Sequence, residues 1–262
     1  MLNDLVSFCR SNPDRTAFVD SRGTRKVTCG EFIGIAGRIS NLLRKKCSPG
    51  DAVAIDLGRC AEHIAARYAA LAAGMVSVSL SESYPLERKE GIISASAAKA
   101  VIGSEFMEEC RDCPEDFYAG DFPDSDPGYI AFTSGSTGKP KGVVHKRSVF
   151  PHIDRCWKLC GEDPSVLKFA ALSDFSFIAS MTEIQATLLS GAEIHIVNRD
   201  DVKDPKSLIG YFKTTGISWT LMNPGMYKAL WQYLDLKICV LAGEASGTIR
   251  VKPGTDVIND YG

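Results

Sequence analysis

The chain reads as an α/β protein: layered, mostly parallel sheets flanked by helices. Three observations lead there. Strands and helices alternate along most of the length, the rhythm that parallel sheets with helical crossovers produce. Several strands, "DAVAIDLG" and "KICVLAGE" among them, are apolar enough to read as buried. With 262 residues, 45% of them hydrophobic, there is material for a sizeable core.

The first stretch, "MLNDLVSFCRSNPDR", reads as a short amphipathic helix and not as a signal peptide, since no basic region precedes a long apolar run. "TAFVD" and "RKVT" flank a turn at "SRG". Thr28 and Glu31 in "TCGE" have capping-box spacing, and the helix behind them carries Phe32, Ile35, Ala36, Ile39, Leu42 and Leu43 as one stripe. "DAVAIDLG" is a strand, and "AEHIAARYAALAAG" a helix closed by Gly74. "MVSVSL" is a strand, "LERKEGIISASA" a helix and "KAVIG" a strand. Residues 111–127, rich in acids and prolines, break the rhythm and read as a surface connection. Strand "YIAFTS", a glycine-rich loop and strand "GVVHK" come next, then a helix over 148–161. The remainder alternates again: "VLKFAAL", "SMTEIQATLLSG", "AEIHIV", "PKSLIGYFKTTG", "ISWTLM", "PGMYKALWQYL" with Pro224 near its first turn, "KICVLAGE" and "DVINDYG".

Composition excludes some classes of function. A net charge of −2 gives no basic field for nucleic acid. No apolar run reaches the roughly 20 residues that span a bilayer. Nine cysteines without an even framework suggest reduced thiols and a cytoplasmic setting. The CxxC of Cys110 and Cys113 lacks the second pair of a zinc site, and Cys156 and Cys160, one helical turn apart, read as packing. His145 follows the loop and reads as packed beside it; His63, His152 and His195 show no partner pattern.

The loop in "YIAFTSGSTGKPKG" carries the chemistry. Free backbone N–H groups in a glycine-rich turn form a nest for anions. Thr133, Ser134, Ser136 and Thr137 add hydroxyls, and Lys139 and Lys141 add charge, a set that suits a polyphosphate. It is not a P-loop, because Thr133 stands at the first glycine position and Pro140 at the Ser/Thr position. The dinucleotide fingerprint is absent as well.

"YIAFTSGSTGKPKGVVH" resembles the signature of the adenylate-forming, AMP-binding enzymes. "KVTCGEF", "LAAGMVSVSLSESYPLERKEGII", "LAGEAS" (241–246) and "NDYG" (259–262) resemble further family segments in the right order. The Tyr84–Pro85–Leu86–Glu87–Arg88 form is most like the adenylation domains of nonribosomal peptide synthetases. The resemblance implies ATP-dependent activation of a carboxylic acid to an acyl-adenylate, followed by transfer to the thiol of a carrier-protein phosphopantetheine or of coenzyme A. It implies that Thr133, Ser134, Gly135, Ser136, Thr137, Gly138 and Lys139 wrap the phosphates, that Lys141 is a further contact, and that Mg²⁺ bridges phosphate oxygens with Thr133 nearby. Gly243 and Glu244 would flank the adenine; Asn259, Tyr261 and Gly262 would approach base and acyl group.

In relatives that activate amino acids, a Phe-Asp-x-Ser segment supplies an aspartate for the substrate ammonium. Counting back from "LLSG" puts Phe177, Ile178, Ala179 and Ser180 there, with isoleucine in the acid's place. An unpaired buried ammonium is costly, so a keto, hydroxy, aryl or other acid fits better. The rival register makes Asp174 the partner of an α-amino acid. Ala179, Thr182, Leu221, Val240 and Ala242 complete the apolar pocket candidates. The resemblance also implies two interleaved subdomains, roughly 50–160 and 1–45 plus 165–262. It implies a C-terminal domain beyond Gly262, so that residues 1–262 read as an N-terminal core expected to adenylate poorly alone. Two other readings remain open: a nucleotide- or acyl-binding module without turnover, and a phosphate-binding domain unrelated to acyl activation.

Overall fold

The computed structural model describes residues 2–20, 24–133, 140–149 and 167–260. The chain divides into two units, each built from more than one stretch of sequence. The first comprises Met1–Arg15, Val27–His152 and Phe175–Ile178; the second comprises Thr16–Lys26, Ile153–Asp174 and Ala179–Gly262.

In the first unit α1 (Leu2–Ser11) buries Leu2, Leu5, Val6 and Cys9, the amphipathic face expected of it. Helix α2 (Cys29–Lys46) begins with the anticipated capping box. The Glu31 N–H donates to Thr28 Oγ1 at 3.2 Å, and the Thr28 N–H donates to Glu31 Oε2 at 2.8 Å. Its stripe packs on α3 (Ala61–Ala72), with the Phe32 and Tyr68 rings edge to face at 5.9 Å. That packing places α2 in the first unit, not with the flanking segments to which the sequence expectation assigned it. Gly74, past the end of α3, has φ +82°, and a Cβ there would lie 2.5 Å from the Phe122 ring. Both facts favour glycine.

Strands β3 (Ala52–Ile55), β4 (Val76–Ser79), β5 (Ala100–Ile102), β6 (Pro127–Thr133) and β7 (Lys141–Lys146) form one sheet, in the order β5-β3-β4-β6-β7. Its pairs are parallel except β6 with β7. Seven residues join those two strands, too few for a crossover, so they pair antiparallel. Helices α4 (Leu86–Ala95) and α5 (Ser104–Glu109) belong to the same unit. The 111–127 connection is more than a surface strand of chain. Phe117 is fully buried, and its carbonyl accepts from Arg10 at 2.9 Å; Asn41 donates to Pro114 O at 2.9 Å and Arg44 to Tyr118 O at 3.1 Å. These donors satisfy carbonyls that would otherwise keep the segment in water.

The second unit holds β1 (Thr16–Val19), β8 (Lys168–Ala171), β9 (Glu193–Ile196), β10 (Trp219–Met222), β11 (Ile238–Leu241) and β12 (Asp256–Asn259). With β2 (Lys26–Thr28) they form a sheet in the order β12-β11-β10-β8-β9-β1-β2. The pairs from β12 through β1 are parallel. Among the described residues its helices are α6 (Ala179–Ser190), α7 (Arg199–Lys203), α8 (Pro205–Thr215) and α9 (Pro224–Leu230). Leu208, Tyr211, Phe212, Tyr227 and Leu230 cover one face of the sheet with Met222 and Leu241. The helix expected over 148–161 lies almost wholly outside the described residues. Among the described residues, no helix is long and apolar enough to cross a membrane.

Candidate functional site

In the first unit, β6 runs from a buried middle to an exposed end at Thr133. Antiparallel pairing sets Thr133 directly opposite Lys141. One hydroxyl and one ammonium therefore stand side by side where the hairpin opens. Ser134, Gly135, Ser136, Thr137, Gly138 and Lys139 lie outside the described residues. His145 sits opposite Tyr129 in the same ladder, their rings 6.1 Å apart, as the packing expectation had it.

Four residues of the stretch that the sequence nominates for the acid pocket, Phe175–Ile178, also belong to this unit. Two are anchored and two displayed. Phe175 and Ser176 are buried, whereas Phe177 is 57% and Ile178 40% exposed. The Tyr129 hydroxyl donates to Ser176 O at 3.2 Å, so the strand that ends at Thr133 also holds this segment.

The second unit contributes the ends of three parallel strands. Leu221 pairs with Val240 and Met222 with Leu241, which pairs in turn with Asn259. Leu221 and Val240 are buried on the face opposite Met222 and Leu241. The Ala242 N–H donates to Met222 O at 3.2 Å, and Gly243 turns with φ +93°. The Glu244 carboxylate accepts the Gly225 N–H at 3.0 Å, at the start of α9. Leu221, Val240, Ala242, Gly243 and Asn259 thus gather at the carboxyl edge of the sheet, where open α/β sheets bind ligands. Tyr261 and Gly262 lie outside the described residues.

Helix α6 begins at Ala179 and carries a half-buried Thr182. One residue on this helix escaped the sequence reading. Glu183 is fully buried and accepts from Ser173 Oγ at 2.8 Å and the Ser173 N–H at 3.1 Å. It fixes the turn that follows β8 and holds Asp174. The available signal was an acid set in the apolar run "MTEIQATLL". No group of three or more His, Cys, Asp or Glu side chains suited to a metal occurs among the described residues.

Residues 5–116 and 113–252 match the sequence pattern of the family described as AMP-binding enzyme. The chain belongs to that family. This AMP-binding chain is 28% identical over 95% of its length to tyrocidine synthase 2 of Brevibacillus parabrevis. It is 29% identical over 98% to the phosphinothricin tripeptide synthetase PhsC of Streptomyces viridochromogenes. It spans 8% and 26% of those proteins and 44% of the dapdiamide synthesis protein DdaD of Enterobacter agglomerans. Among solved structures, the N-terminal subdomain of Klebsiella oxytoca NpsA in complex with 3-hydroxyanthranilyl-AMSN superposes with a TM-score of 0.84 at 21% identity, covering 100% of this chain and 72% of that one. The AMPPNP-bound nonribosomal peptide synthetase FmoA3 (S1046A) gives 0.84 at 20%, covering 100% and 31%. At these identities the likeness establishes the AMP-binding fold and leaves the ligands to chemistry.

Proposed function

We propose that the chain is the nucleotide- and acid-binding core of an adenylation enzyme whose acid lacks an α-ammonium. Its substrates are ATP and a keto, hydroxy, aryl or other carboxylic acid, and its acceptor is the thiol of a phosphopantetheinyl carrier protein or coenzyme A. The observation that carries the reading is Ile178. It is displayed beside Phe177 at the position where the resemblance places an ammonium-binding acid. An aliphatic wall there favours an uncharged α-position and disfavours a cation, which would lose its hydration without a partner. The NpsA structures in complex with 3-hydroxyanthranilyl-AMSN and 3-hydroxybenzoyl-AMSN lend support from fold neighbours. The artificially fused adenylation–PCP di-domain NpsA-ThdA does the same for a carrier acceptor.

The first step joins a carboxylate oxygen to the α-phosphorus of ATP as the bond to the bridging oxygen breaks; pyrophosphate leaves with the electron pair. In the second, the thiol sulfur bonds to the acyl carbon, AMP departs, and the thiol proton passes to solvent. The protein's part is positioning and charge neutralisation. Thr133 and Lys141 present hydroxyl and ammonium to the phosphates, and Ser134–Lys139 are the further phosphate contacts that the resemblance assigns. Gly243 keeps the strand end free of side-chain bulk for the adenine, with Glu244 and Asn259 beside it. Were magnesium bound, the Thr133 hydroxyl would be its protein contact, and the ion would supply positive charge to offset that on the leaving group.

The test is ATP–pyrophosphate exchange by the full-length protein with and without acid. Labelled pyrophosphate should enter ATP only when a suitable acid is present. Nucleotide binding without exchange for any acid would favour a non-catalytic module.

A further inference from the structure

We infer that Arg67, oriented by His63 and Ser79, is a positioning residue for the displayed pair Phe177–Ile178, acting through a clamp on Phe175 and Ser176. The inference rests on the proposed acid site.

The network has a direction. A carbonyl only accepts, so the 2.9 Å contact between His63 Nδ1 and Gly58 O puts the proton on Nδ1. The neutral ring then accepts from the Ser79 hydroxyl at Nε2, 2.9 Å away. Ser79 Oγ, its proton committed, accepts from Arg67 Nε at 3.0 Å. Arg67 Nη2 in turn donates to the carbonyl of Phe175. Each member fixes the next, and the chain ends on the backbone of the acid-pocket segment. Burial, with Arg67 and Arg59 nearby, holds His63 well below its ordinary pKa and keeps it in the neutral form this arrangement requires.

The Phe175 ring is gripped as well. Arg59 lies 4.7 Å and Arg67 5.2 Å from its centroid, and the His63 ring meets it edge-on at 5.1 Å. Ser176 is tied at both ends. Its hydroxyl lies 3.1 Å from Tyr84 Oη, and its carbonyl accepts from Tyr129 Oη. Phe177 and Ile178 therefore project from a dipeptide fixed at its backbone, and β6 holds that dipeptide and ends at Thr133.

Stability alone is a poor reason for this arrangement. Burying a guanidinium costs desolvation, and apolar residues of similar volume often do as well or better. A methionine at 67 would fill the space but could not hold a carbonyl in place. Because a shift of about 1 Å can cost a hundredfold in rate, holding that carbonyl matters most where acid and phosphate must meet.

The test compares wild type with Arg67→Met, Arg67→Lys, Tyr84→Phe and a core control, Ile92→Val. Calorimetry measures two probes, AMP and benzoyl-sulfamoyl adenosine, and hydrogen exchange follows the amides of 175–178 in the ligand-free protein. Arg67→Met should weaken the acyl probe by roughly tenfold while AMP stays within about twofold, and should speed exchange at Phe177 and Ile178. Arg67→Lys should give a similar loss, since an ammonium lacks the planar fork. Tyr84→Phe should lose less in the same direction, and Ile92→Val should leave the ratio of the two affinities unchanged. Equal loss of both probes, or unchanged exchange at 175–178 in Arg67→Lys and Tyr84→Phe, overturns the inference even if Arg67→Met fails to fold. A wild-type protein that binds AMP but gains nothing from an acyl group would count against the proposed function, while the exchange result would still decide the clamp.

Discussion

Replacing Glu183 by glutamine changes one atom at a fully buried position and should be costly. The carboxylate receives the Ser173 N–H at 3.1 Å to both oxygens, Ser173 Oγ at 2.8 Å and, weakly, the Leu172 N–H at 3.4 Å. A glutamine oxygen in the Oε1 position keeps the acceptances made there but loses the negative charge that strengthens them. Its amide nitrogen then faces the Ser173 N–H, donor against donor. Loss of charge assistance over these bonds, together with a buried unmatched donor, comes to about 3 kcal/mol. For a chain of this size each kcal/mol lowers the melting temperature by about 2–4 °C, so Glu183→Gln should melt roughly 6–12 °C below wild type. Thermal unfolding followed by circular dichroism at pH 7.5 reads this directly. A drop smaller than about 2 °C would refute the reasoning, since neither lost charge assistance nor a buried unmatched donor could then be at work.

Two further perturbations follow from the structure. His63 is held below its ordinary pKa in the folded state, so the unfolded chain binds the extra proton first. Stability should be intact above pH 6.5 and fall as the pH drops below it, by about 1 kcal/mol near pH 5.5; His63→Met should flatten that part of a denaturation-against-pH curve, and an unchanged slope would contradict it. Gly50→Ala and Gly74→Ala both force a left-handed residue, at φ +90° and +82°, but a Cβ meets nothing within 4 Å at Gly50 and the Phe122 ring at Gly74. Urea titration should show about 1 kcal/mol lost at Gly50 for the backbone, and about 1–3 kcal/mol more at Gly74 for the clash; equal losses would mean that Phe122 yields freely.

Local signals carried much of the fold. The capping box of Thr28 and Glu31 is a four-residue pattern and forms as read. The alternation of buried strands and helices needs only periodicity, and the antiparallel turn of β7 follows from the shortness of the loop before it. What escaped depends on partners distant in sequence. Phe117 looked like part of a polar connection because the guanidinium that meets its carbonyl belongs to Arg10, 107 residues away. His63 had no visible partner because Ser79 and Phe175 reach it only through the sheet and the return of the chain at 175. Glu183 gave a hint, an acid among apolar neighbours, but nothing local says that Ser173 awaits it. For the candidate site, the loop sequence nominates Thr133 and Lys141, which pair across β6 and β7, and the distance to "LLSG" nominates Phe177 and Ile178, which are exposed. The hydrogen bonds that Arg67 and Tyr129 give to the carbonyls of Phe175 and Ser176 are not legible in the sequence.

The most direct test of the central claim uses matched substrates. Exchange of labelled pyrophosphate by the full-length protein should be measured with pairs that differ only at the α-carbon, such as phenylalanine with phenylpyruvate and leucine with its keto and hydroxy counterparts. The account that puts Ile178 against the acid predicts that kcat/KM favours the member without an ammonium in every pair. A consistent preference for the amino acids would contradict the account and move the partner role to Asp174.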